Sequence, residues 1–532
     1  MIIFYLIILI IIKFAYFSTI KKLNIVFYSF FNAIIKGYLK YRKGRIQSMY
    51  HTPHDLQNEV FFDLLARLKT THYGRKYAAS QIRNIKDFQK TIPVTDYEHL
   101  FPFIEKTMNG DSDILWPGKT QWFAKSSGTT NDKSKYIPIT DDNLFDNHVA
   151  AGWDAMSILY GNRMDARIFD GKNLIMGGSL RSINDNITIG DVSAILLHRM
   201  PAVGRPFYTP DFETALLANW DEKIDKIAHL CSKEDVVMFA GVPTWTIVLF
   251  KRILEITGKQ NIREVWPNVK TYFHGGVGFD PYVSQFKEFL PGDDIEYYEV
   301  YNASEGYFAV QDRLNEKGML LLLDNAIYYE FIPVNEVEKE DPLVLTLQDV
   351  EVGKDYCIVI STSSGLWRYK PGDVVRFVSK EPYRIMVSGR TKHFINVFGE
   401  EVMVHNTDQA LSETCKMTDA VISEYTVAPI YMDHQGKGGH EWLIEFERVP
   451  KDLSYFSQLL DEKLRCVNSD YDAKRYKDMA LQPLKISVAP MHSFSNWLRS
   501  KGKIGGQSKI PRLSNERKYL TELQEFIRSN NN

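Results

Sequence analysis

Between about residue 58 and residue 390, the apolar residues follow two different spacings that predict strands and helices. Short runs rich in β-branched and aromatic residues predict strands at 236–240, 269–273, 295–301, 356–361, 374–378 and 383–387. Helical spacing separates some of these runs, as at 245–257. Alternating strands and helices indicate an α/β fold built in layers.

A further helix is predicted after Thr140, because a threonine followed by Asp141 and Asp142 is typical of a helix start with an acidic first turn. Apolar residues continue at helical spacing at Leu144, Val149, Trp153 and Met156.

The pattern changes near Gly389 and Arg390, where we expect a domain boundary. Beyond it, the spacing predicts a helix at 406–415 and strands within 441–447 and 484–489. We therefore expect a large domain at 29–390 and a small α+β domain at 391–532, which is within normal domain size.

Residues 1–20 are almost wholly apolar, with Lys13 as their only charge, and Lys21 and Lys22 follow them. About 20 such residues could span a membrane. The segment has no basic start and no small-residue cleavage site, so a secretory signal is disfavoured. Two explanations of residues 1–28 stay open: a single-pass anchor whose basic flank keeps the chain in the cytoplasm, or a misassigned start codon.

The composition argues against a nucleic-acid partner and against a cysteine-based metal or redox site. The net charge of the 532 residues is -2, which gives no reason to expect a nucleic-acid partner. The four cysteines lie far apart, without the paired spacing of a metal or redox site, and such thiols fit the reducing cytoplasm.

The first candidate site is a hydroxyl-rich loop, Ser126, Ser127, Gly128, Thr129 and Thr130, with lysines on both sides. Hydroxyls, backbone N–H groups and lysines can wrap a polyphosphate. The loop lacks the P-loop pattern, which disfavours kinases and GTPases. An ordinary solvated turn is the alternative.

Five more motifs follow, and each has an ordinary structural alternative: in order, a tight turn, a strand end with an exposed acid, a Pro-Gly hairpin, a polar linker and a solvated basic loop. Gly275 and Gly276 follow a strand and would let a ligand approach the backbone. Tyr301 could stack on a base, and Glu305 could hold Mg²⁺. Asp373 follows a Pro-Gly turn and could bind ribose hydroxyls. The remaining candidates are Arg390 and Lys392 at the domain junction and Lys509 in a glycine-containing C-terminal loop.

The order of these motifs resembles the adenylate-forming superfamily of acyl-CoA ligases, luciferases and peptide-synthetase adenylation domains. Their details are similar to the auxin-responsive promoter family of acyl acid amido synthetases, in a bacterial-type member. The resemblance is carried by 126–130, by the Tyr-x-x-Ser-Glu run at 301–305, by 369–373 and by 507–512, and extends from about Phe30 to the end of the chain.

The resemblance implies a large adenylate-forming domain, layered α/β with a β-barrel-like part, and a mobile C-terminal lid. It implies that ATP activates a small carboxylic acid as an acyl-adenylate and that an amine, of an amino acid, then attacks it. Residues implied to contact the nucleotide are Ser126, Ser127, Gly128, Thr129, Thr130, Lys135, Gly275, Gly276, Tyr301, Ser304, Asp373 and Arg390. Asn131 stands where the wider superfamily has glycine, and this favours Lys135 over Lys133 as the phosphate contact.

The catalytic residues implied by the resemblance are Lys509, Lys392 and Glu305, with Glu305 also holding Mg²⁺. The acyl pocket is expected near Val242, Thr244 and Trp245, unless this apolar segment is ordinary core. Two other functions stay open: an acyl-CoA ligase with the same first step, and a non-catalytic nucleotide-binding protein tethered to the membrane through residues 1–20.

Overall fold

A computed structural model describes residues 21–126, 135–164, 166–184, 186–202, 204–217, 219–276, 279–390, 394–395, 400, 402–431, 438–468, 471–472, 475, 481–502 and 510–530. The α-helices within these residues are Lys21–His51, Pro53–Leu68, His72–Lys76, Ile85–Thr91, Tyr97–Met108, Ala150–Asn162, Val192–His198, Phe212–Ala215, Trp220–Cys231, Pro243–Thr257, Val283–Phe289, Val404–Thr418, Leu453–Val467, Ser493–Ser500 and Lys518–Asn530. In this part of the chain, no helix combines the length and hydropathy needed to cross a membrane. The anchor expected at residues 1–20 lies outside the described residues.

The strands of the large N-terminal part are β1 (Trp122–Ser126), β2 (Lys135–Ile139), β3 (Lys172–Ile175), β4 (Leu180–Asn184), β5 (Ile187–Gly190), β6 (Tyr208–Thr209), β7 (Val236–Gly241), β8 (Thr271–Gly275), β9 (Glu296–Ala303), β10 (Gly306–Val310), β11 (Met319–Leu321), β12 (Ile327–Pro333), β13 (Asp355–Thr362), β14 (Asp373–Lys380) and β15 (Tyr383–Arg390). In the described residues, β2-β1-β5-β4 form one sheet and β12-β13-β14-β15-β11-β10-β9-β8-β7-β3-β6 form an eleven-stranded sheet.

The parallel half of the large sheet explains the continuous apolar runs in the sequence. Strands β3, β7, β8 and β9 run parallel, and both faces of such strands are covered by other elements. One face packs on the helices Trp220–Cys231, Pro243–Thr257 and Val283–Phe289, with Trp266 and Tyr272 fully buried among them. Strands β10 to β15 pair antiparallel in the same sheet. The predicted mixed α/β class is confirmed.

The helix predicted after Thr140 is present and is capped as expected, because the Thr140 hydroxyl oxygen accepts a hydrogen bond from the backbone N–H of Asn143. Its first turns differ from the regular α-helical spacing that we expected. Residues Asn143–Val149 form a π-helical segment before the α-helix Ala150–Asn162. The wider turn accommodates the five-residue step between the apolar residues Leu144 and Val149.

The C-terminal part contains β16 (Phe394–Ile395), β17 (Val402–Met403), β18 (Val421–Ile430), β19 (Gly439–Arg448) and β20 (Lys485–Ala489). Strands β18, β19 and β20 form a sheet that packs on the helices Val404–Thr418 and Leu453–Val467. Its buried residues form their own clusters, which begin at Ile395, whereas the main cluster of the large part ends at Ile385. The expected pairing of a large N-terminal part with a smaller C-terminal part is confirmed.

Candidate active site

A cleft of about 3010 Å³ lies at the carboxyl ends of the parallel strands and extends to the C-terminal part. Ligands of open α/β sheets bind at this edge, because the connections that follow the strands carry side chains there. Predicted site residues that line the cleft are Val242, Trp245, Gly275, Gly276, Tyr301, Ser304, Glu305 and Asp373. The fold therefore brings most of the described candidates to one place, from four separate sequence segments.

The contact that joins two of these motifs is a short hydrogen bond. The hydroxyl of Tyr301, on β9, donates to Oδ2 of Asp373 at 2.6 Å, and both side chains are buried. The Tyr301 ring packs against Phe308 with 4.7 Å between the ring centroids. Ser304 and Glu305 occupy the tight turn between β9 and β10, where both are only 7% exposed. An acidic side chain and an aromatic ring thus share a partly dehydrated edge of the cleft.

The strand register brings the motif at 369–373 to the predicted domain junction. Asp373 is the first residue of β14 and Arg390 is the last residue of β15, and the two are antiparallel partners. The Cα register therefore sets the backbone of Arg390 directly beside that of Asp373. The Arg390 side chain lies outside the described residues.

The two predicted glycines have separate structural reasons to be glycine. A Cβ on Gly275 would lie 2.4 Å from the carbonyl oxygen of Val300, so β8 and β9 could not pair at this distance with a side chain present. Gly276 has a φ of +79°, which other residues rarely adopt. The backbone at the end of β8 is therefore open to the cleft without a covering side chain.

The hydroxyl-rich loop connects β1 to β2. The Cα register pairs Ser126 with Lys135 at the open end of this hairpin. Ser127, Gly128, Thr129 and Thr130, together with the Ser126 side chain, lie outside the described residues. The Lys135 ammonium nitrogen lies 5.7 Å from the centre of the Tyr97 ring. Lys392 and Lys509 also lie outside the described residues, so their expected roles stay predictions.

The predicted acyl segment follows β7. Val242 precedes the helix Pro243–Thr257, and its carbonyl oxygen accepts hydrogen bonds from the backbone and the hydroxyl of Thr246. Val242 and Trp245 both line the cleft, and the Trp245 ring also packs against the cluster around Phe250. Trp245 therefore lies between the cleft and the core, and its contact with the acyl group stays a prediction. The Thr244 side chain lies outside the described residues.

Three titratable residues to which the sequence motifs assigned no role also line the cleft: His148, His274 and Glu299. Burial lowers the pKa of His148 to about 4 and that of His274 to about 3, so both rings are neutral at pH 7. Neither ring nitrogen of His148 has a hydrogen-bond partner of good geometry among the described residues. Burial, reinforced by Asp280, raises the pKa of Glu299 to about 7. The sequence signal for His148 was weak: a single histidine beside the apolar position Val149 of a helix predicted to have one apolar face.

The chemistry of the described residues fits Mg²⁺ bound mainly through phosphates. Within the described residues, no group of three or more His, Cys, Asp or Glu side chains could hold a metal ion alone. Mg²⁺ usually binds one or two carboxylates together with substrate phosphates and water. Glu305 offers such a carboxylate in the cleft, with Asp373 as a second acidic side chain lining it.

Profiles of three protein-family domains match the sequence in consecutive order. The GH3 family N-terminal domain matches residues 42–216 and 182–295, the central domain matches 320–390, and the C-terminal domain matches 405–518. The chain belongs to the GH3 family. The family resemblance expected from the motifs is thereby confirmed.

Curated relatives extend over nearly the same length. The chain is 24% identical over 566 residues to indole-3-acetic acid-amido synthetase GH3.3 of Arabidopsis thaliana, covering 88% of this chain and 90% of the relative. It is 23% identical over 569 residues to 4-substituted benzoates-glutamate ligase GH3.12 of the same plant, covering 89% and 95%. The first is named as an acid-amido synthetase, and the second as a ligase of 4-substituted benzoates and glutamate.

Solved structures show the same fold. The GH3.15 acyl acid amido synthetase in complex with 2,4-DB matches with a TM-score of 0.75 and 18% identity, covering 92% of this chain and 96% of that one. A 2-hydroxyisobutyryl-CoA ligase in its postadenylation state matches with a TM-score of 0.58 and 14% identity, covering 89% and 91%. The fold is that of adenylate-forming enzymes.

Proposed function

We propose that this GH3 family member uses ATP to convert a carboxylic acid into an acyl-adenylate and then transfers the acyl group to the amine of an amino acid. The first half-reaction releases pyrophosphate and the second releases AMP. The observation that carries the proposal is the buried Tyr301–Asp373 contact in the same cleft as Glu305, within a chain that matches all three GH3 domains. The names of the amido synthetase relatives support the amine as acceptor.

In the first half-reaction, the carboxylate attacks the α-phosphorus of ATP, and negative charge moves towards the leaving pyrophosphate. Fixed donors and cations that face this charge lower the barrier. We assign the loop 126–130, Lys135 and Lys509 to the phosphates. Bound Mg²⁺, held by Glu305 and the phosphates, would neutralise part of the same charge.

We assign the orientation of the nucleotide to a second group of residues. Tyr301 would lie against adenine, and Gly275 and Gly276 would let the base reach the backbone. Asp373 would accept hydrogen bonds from the ribose hydroxyls, with Arg390 beside it. The hydrogen bond from Tyr301 holds the Asp373 carboxylate in place before ATP arrives, so little order has to be gained on binding.

In the second half-reaction, an amine nitrogen attacks the acyl carbon, and the carbon–oxygen bond to AMP breaks. We place the domain boundary at residue 390 and a rotation of the small domain near Thr391 and Lys392. Separate hydrophobic clusters on the two sides of this point support two bodies. Val242, Thr244 and Trp245 are assigned to the acyl group, and closure of the cleft would exclude water, which hydrolyses adenylates.

The location in the cell is a separate part of the proposal. Apolar residues 1–20, followed by Lys21 and Lys22, support attachment to the inner face of a membrane with the enzyme in the cytoplasm. Expression of the full chain and of a chain that begins at Phe30, followed by fractionation, tests this. Equal recovery of both in the soluble fraction would overturn the attachment.

The acceptor is tested by product analysis. With an acid that supports activity, the enzyme is incubated with ATP and either a mixture of free amino acids or CoA. We expect an amide and AMP, identified by mass spectrometry, with the amino acids. Formation of a thioester with CoA, and no amide, would instead establish an acyl-CoA ligase.

A further inference from the structure

Arg512 lies at the centre of a buried polar cluster close to the cleft. Its Nη1 donates to both carboxylate oxygens of Asp408, at 2.6 and 2.8 Å. Its Nη2 donates to the hydroxyl of Tyr282 at 3.0 Å. The hydroxyl of Tyr425 donates to Asp408 at 2.6 Å. Both charged side chains are 9% exposed, so the pair is largely removed from water.

This cluster joins the two parts of the chain. Asp408 lies on the helix Val404–Thr418 and Tyr425 lies on β18, both in the C-terminal part. Tyr282 belongs to the large part, where its ring is buried in the cluster that covers β7 and β8. The packing of the large part therefore holds the Tyr282 hydroxyl in place. The Arg512 side chain of the small part donates a hydrogen bond to it.

The backbone next to the proposed catalytic lysine, which precedes Arg512 by three residues, is held by β18. The Pro511 carbonyl oxygen accepts a hydrogen bond from the Thr426 hydroxyl at 2.7 Å, and that of Arg512 accepts one from the Val427 backbone at 2.8 Å. Residues 510 to 512 line the same cleft as Tyr301 and Glu305. The segment that follows Lys509 therefore lines the same cleft as the residues that we assign to the nucleotide.

We propose that Arg512 is a positioning residue for adenylation. Held by Asp408, its guanidinium docks on Tyr282 and keeps the small domain in the orientation in which residues 510 to 512 line the cleft together with Tyr301 and Glu305, the orientation that we assign to adenylation. The inference rests on the proposed function. It assigns the Arg512–Tyr282 contact to the first half-reaction, and rotation of the small domain for amide formation would break this contact.

Two conservative variants separate docking from stability. Tyr282→Phe removes the hydroxyl that Arg512 reaches across the domains, whereas Tyr425→Phe removes a hydroxyl from the same cluster within the small domain. Since hydrogen bonds to charged groups are strong, we expect Tyr282→Phe to lower the rate of pyrophosphate exchange about tenfold or more. Amide formation from a supplied acyl-adenylate should stay at the wild-type rate, and Tyr425→Phe should retain exchange within about threefold.

A second readout requires no substrate. The ammonium of Lys251, in the large part, lies 2.6 Å from Oε1 of Glu447, in the small part. A water-soluble carbodiimide activates the Glu447 carboxyl, and the Lys251 amine displaces the urea to form an amide between the domains. Mass spectrometry then measures the cross-linked peptide, which should decrease in Tyr282→Phe and stay unchanged in Tyr425→Phe.

The outcomes distinguish this inference from the proposed function. If no acid supports exchange in the wild-type enzyme, the proposed function fails, and the cross-link still reports on docking. If Tyr282→Phe matches the wild-type enzyme in both exchange and cross-linking, the docking role of Arg512 is wrong. Equal losses in Tyr282→Phe and Tyr425→Phe would also overturn it, because they would indicate a general structural effect.

Discussion

The hydroxyl of Tyr301 lies 2.6 Å from Oδ2 of Asp373, although 71 residues separate them in the sequence. The contact links the end of β9 to the start of β14, two strands that are not neighbours in the sheet. It is the clearest evidence that two of the motifs belong to one site.

The first prediction concerns this pair. Asp373→Asn keeps the shape of the side chain but removes the charge that would face the ribose. We expect the KM for ATP to rise about tenfold to a hundredfold, as for loss of hydrogen bonds to a charged group. Tyr301→Phe should give a smaller rise, because the carboxylate remains. An unchanged KM for ATP in Asp373→Asn would contradict the ribose assignment.

The second prediction concerns Glu305 and Mg²⁺. Glu305→Gln removes the carboxylate charge with little change in size. We expect a higher Mg²⁺ concentration for half-maximal pyrophosphate exchange and a kcat lower by about a hundredfold. Titration of Mg²⁺ at saturating ATP measures both. The same Mg²⁺ dependence in the variant and the wild-type enzyme would show that Glu305 does not hold the ion.

The third prediction concerns Lys509. Lys509→Ala should abolish pyrophosphate exchange, because it removes the cation assigned to the phosphates. Lys501→Ala is the matched control: Lys501 lies in the same segment but pairs with Glu522 at 3.0 Å. The control should retain exchange. Normal exchange in Lys509→Ala would remove this lysine from the catalytic mechanism.

The fourth prediction concerns Gly275 and stability. In Gly275→Ala the new Cβ would meet the Val300 carbonyl oxygen at 2.4 Å, so β8 and β9 must move apart. Overpacking of this kind lowers the free energy of unfolding by about 1–3 kcal/mol. Gly152→Ala, in a helix with no atom within 4 Å of the new Cβ, should instead raise it by about 0.5–1 kcal/mol. Thermal unfolding measures the melting temperatures of both variants, and equal values would contradict the predicted steric clash at Gly275.

The fifth prediction concerns pH. The pKa of His148 is about 4 in the folded chain because of burial, below the ordinary value near 6.5. Between these values only the unfolded chain binds the proton, so the free energy of unfolding falls as the pH falls. From pH 7 to pH 5 the loss due to His148 is about 2 kcal/mol. His148→Gln should lose correspondingly less stability in urea unfolding at the two pH values. An identical loss would place His148 in a more polar environment.

Much of the fold was predictable because the parallel strands are buried and therefore continuously apolar. Strand β7 was expected at 236–240 and is observed at Val236–Gly241, and the helix after it begins two residues earlier than predicted, at Pro243. The ends of elements were less predictable. Strand β8 was expected at 269–273 but is observed at Thr271–Gly275, because pairing with β9 includes Gly275 despite its missing side chain.

The location of the candidate site was predictable where the sequence carries short motifs, because Tyr301, Glu305 and Asp373 all line the cleft. It was not predictable where the role depends on distant partners. Arg512 was part of a motif, but its ion pair with Asp408, 104 residues away, is visible only in the fold. His148 was missed because it lies in the π-helical segment, where the spacing of buried residues differs from that of the regular helix expected from the sequence.

The central claim is that this chain activates a carboxylic acid with ATP as an acyl-adenylate. ATP–pyrophosphate exchange, measured over a panel of apolar and aromatic carboxylic acids with Mg²⁺ present, tests it most directly. We predict that at least one acid promotes incorporation of labelled pyrophosphate into ATP, with AMP as the nucleotide released when an amino acid is added. Release of ADP with no pyrophosphate exchange would contradict the claim.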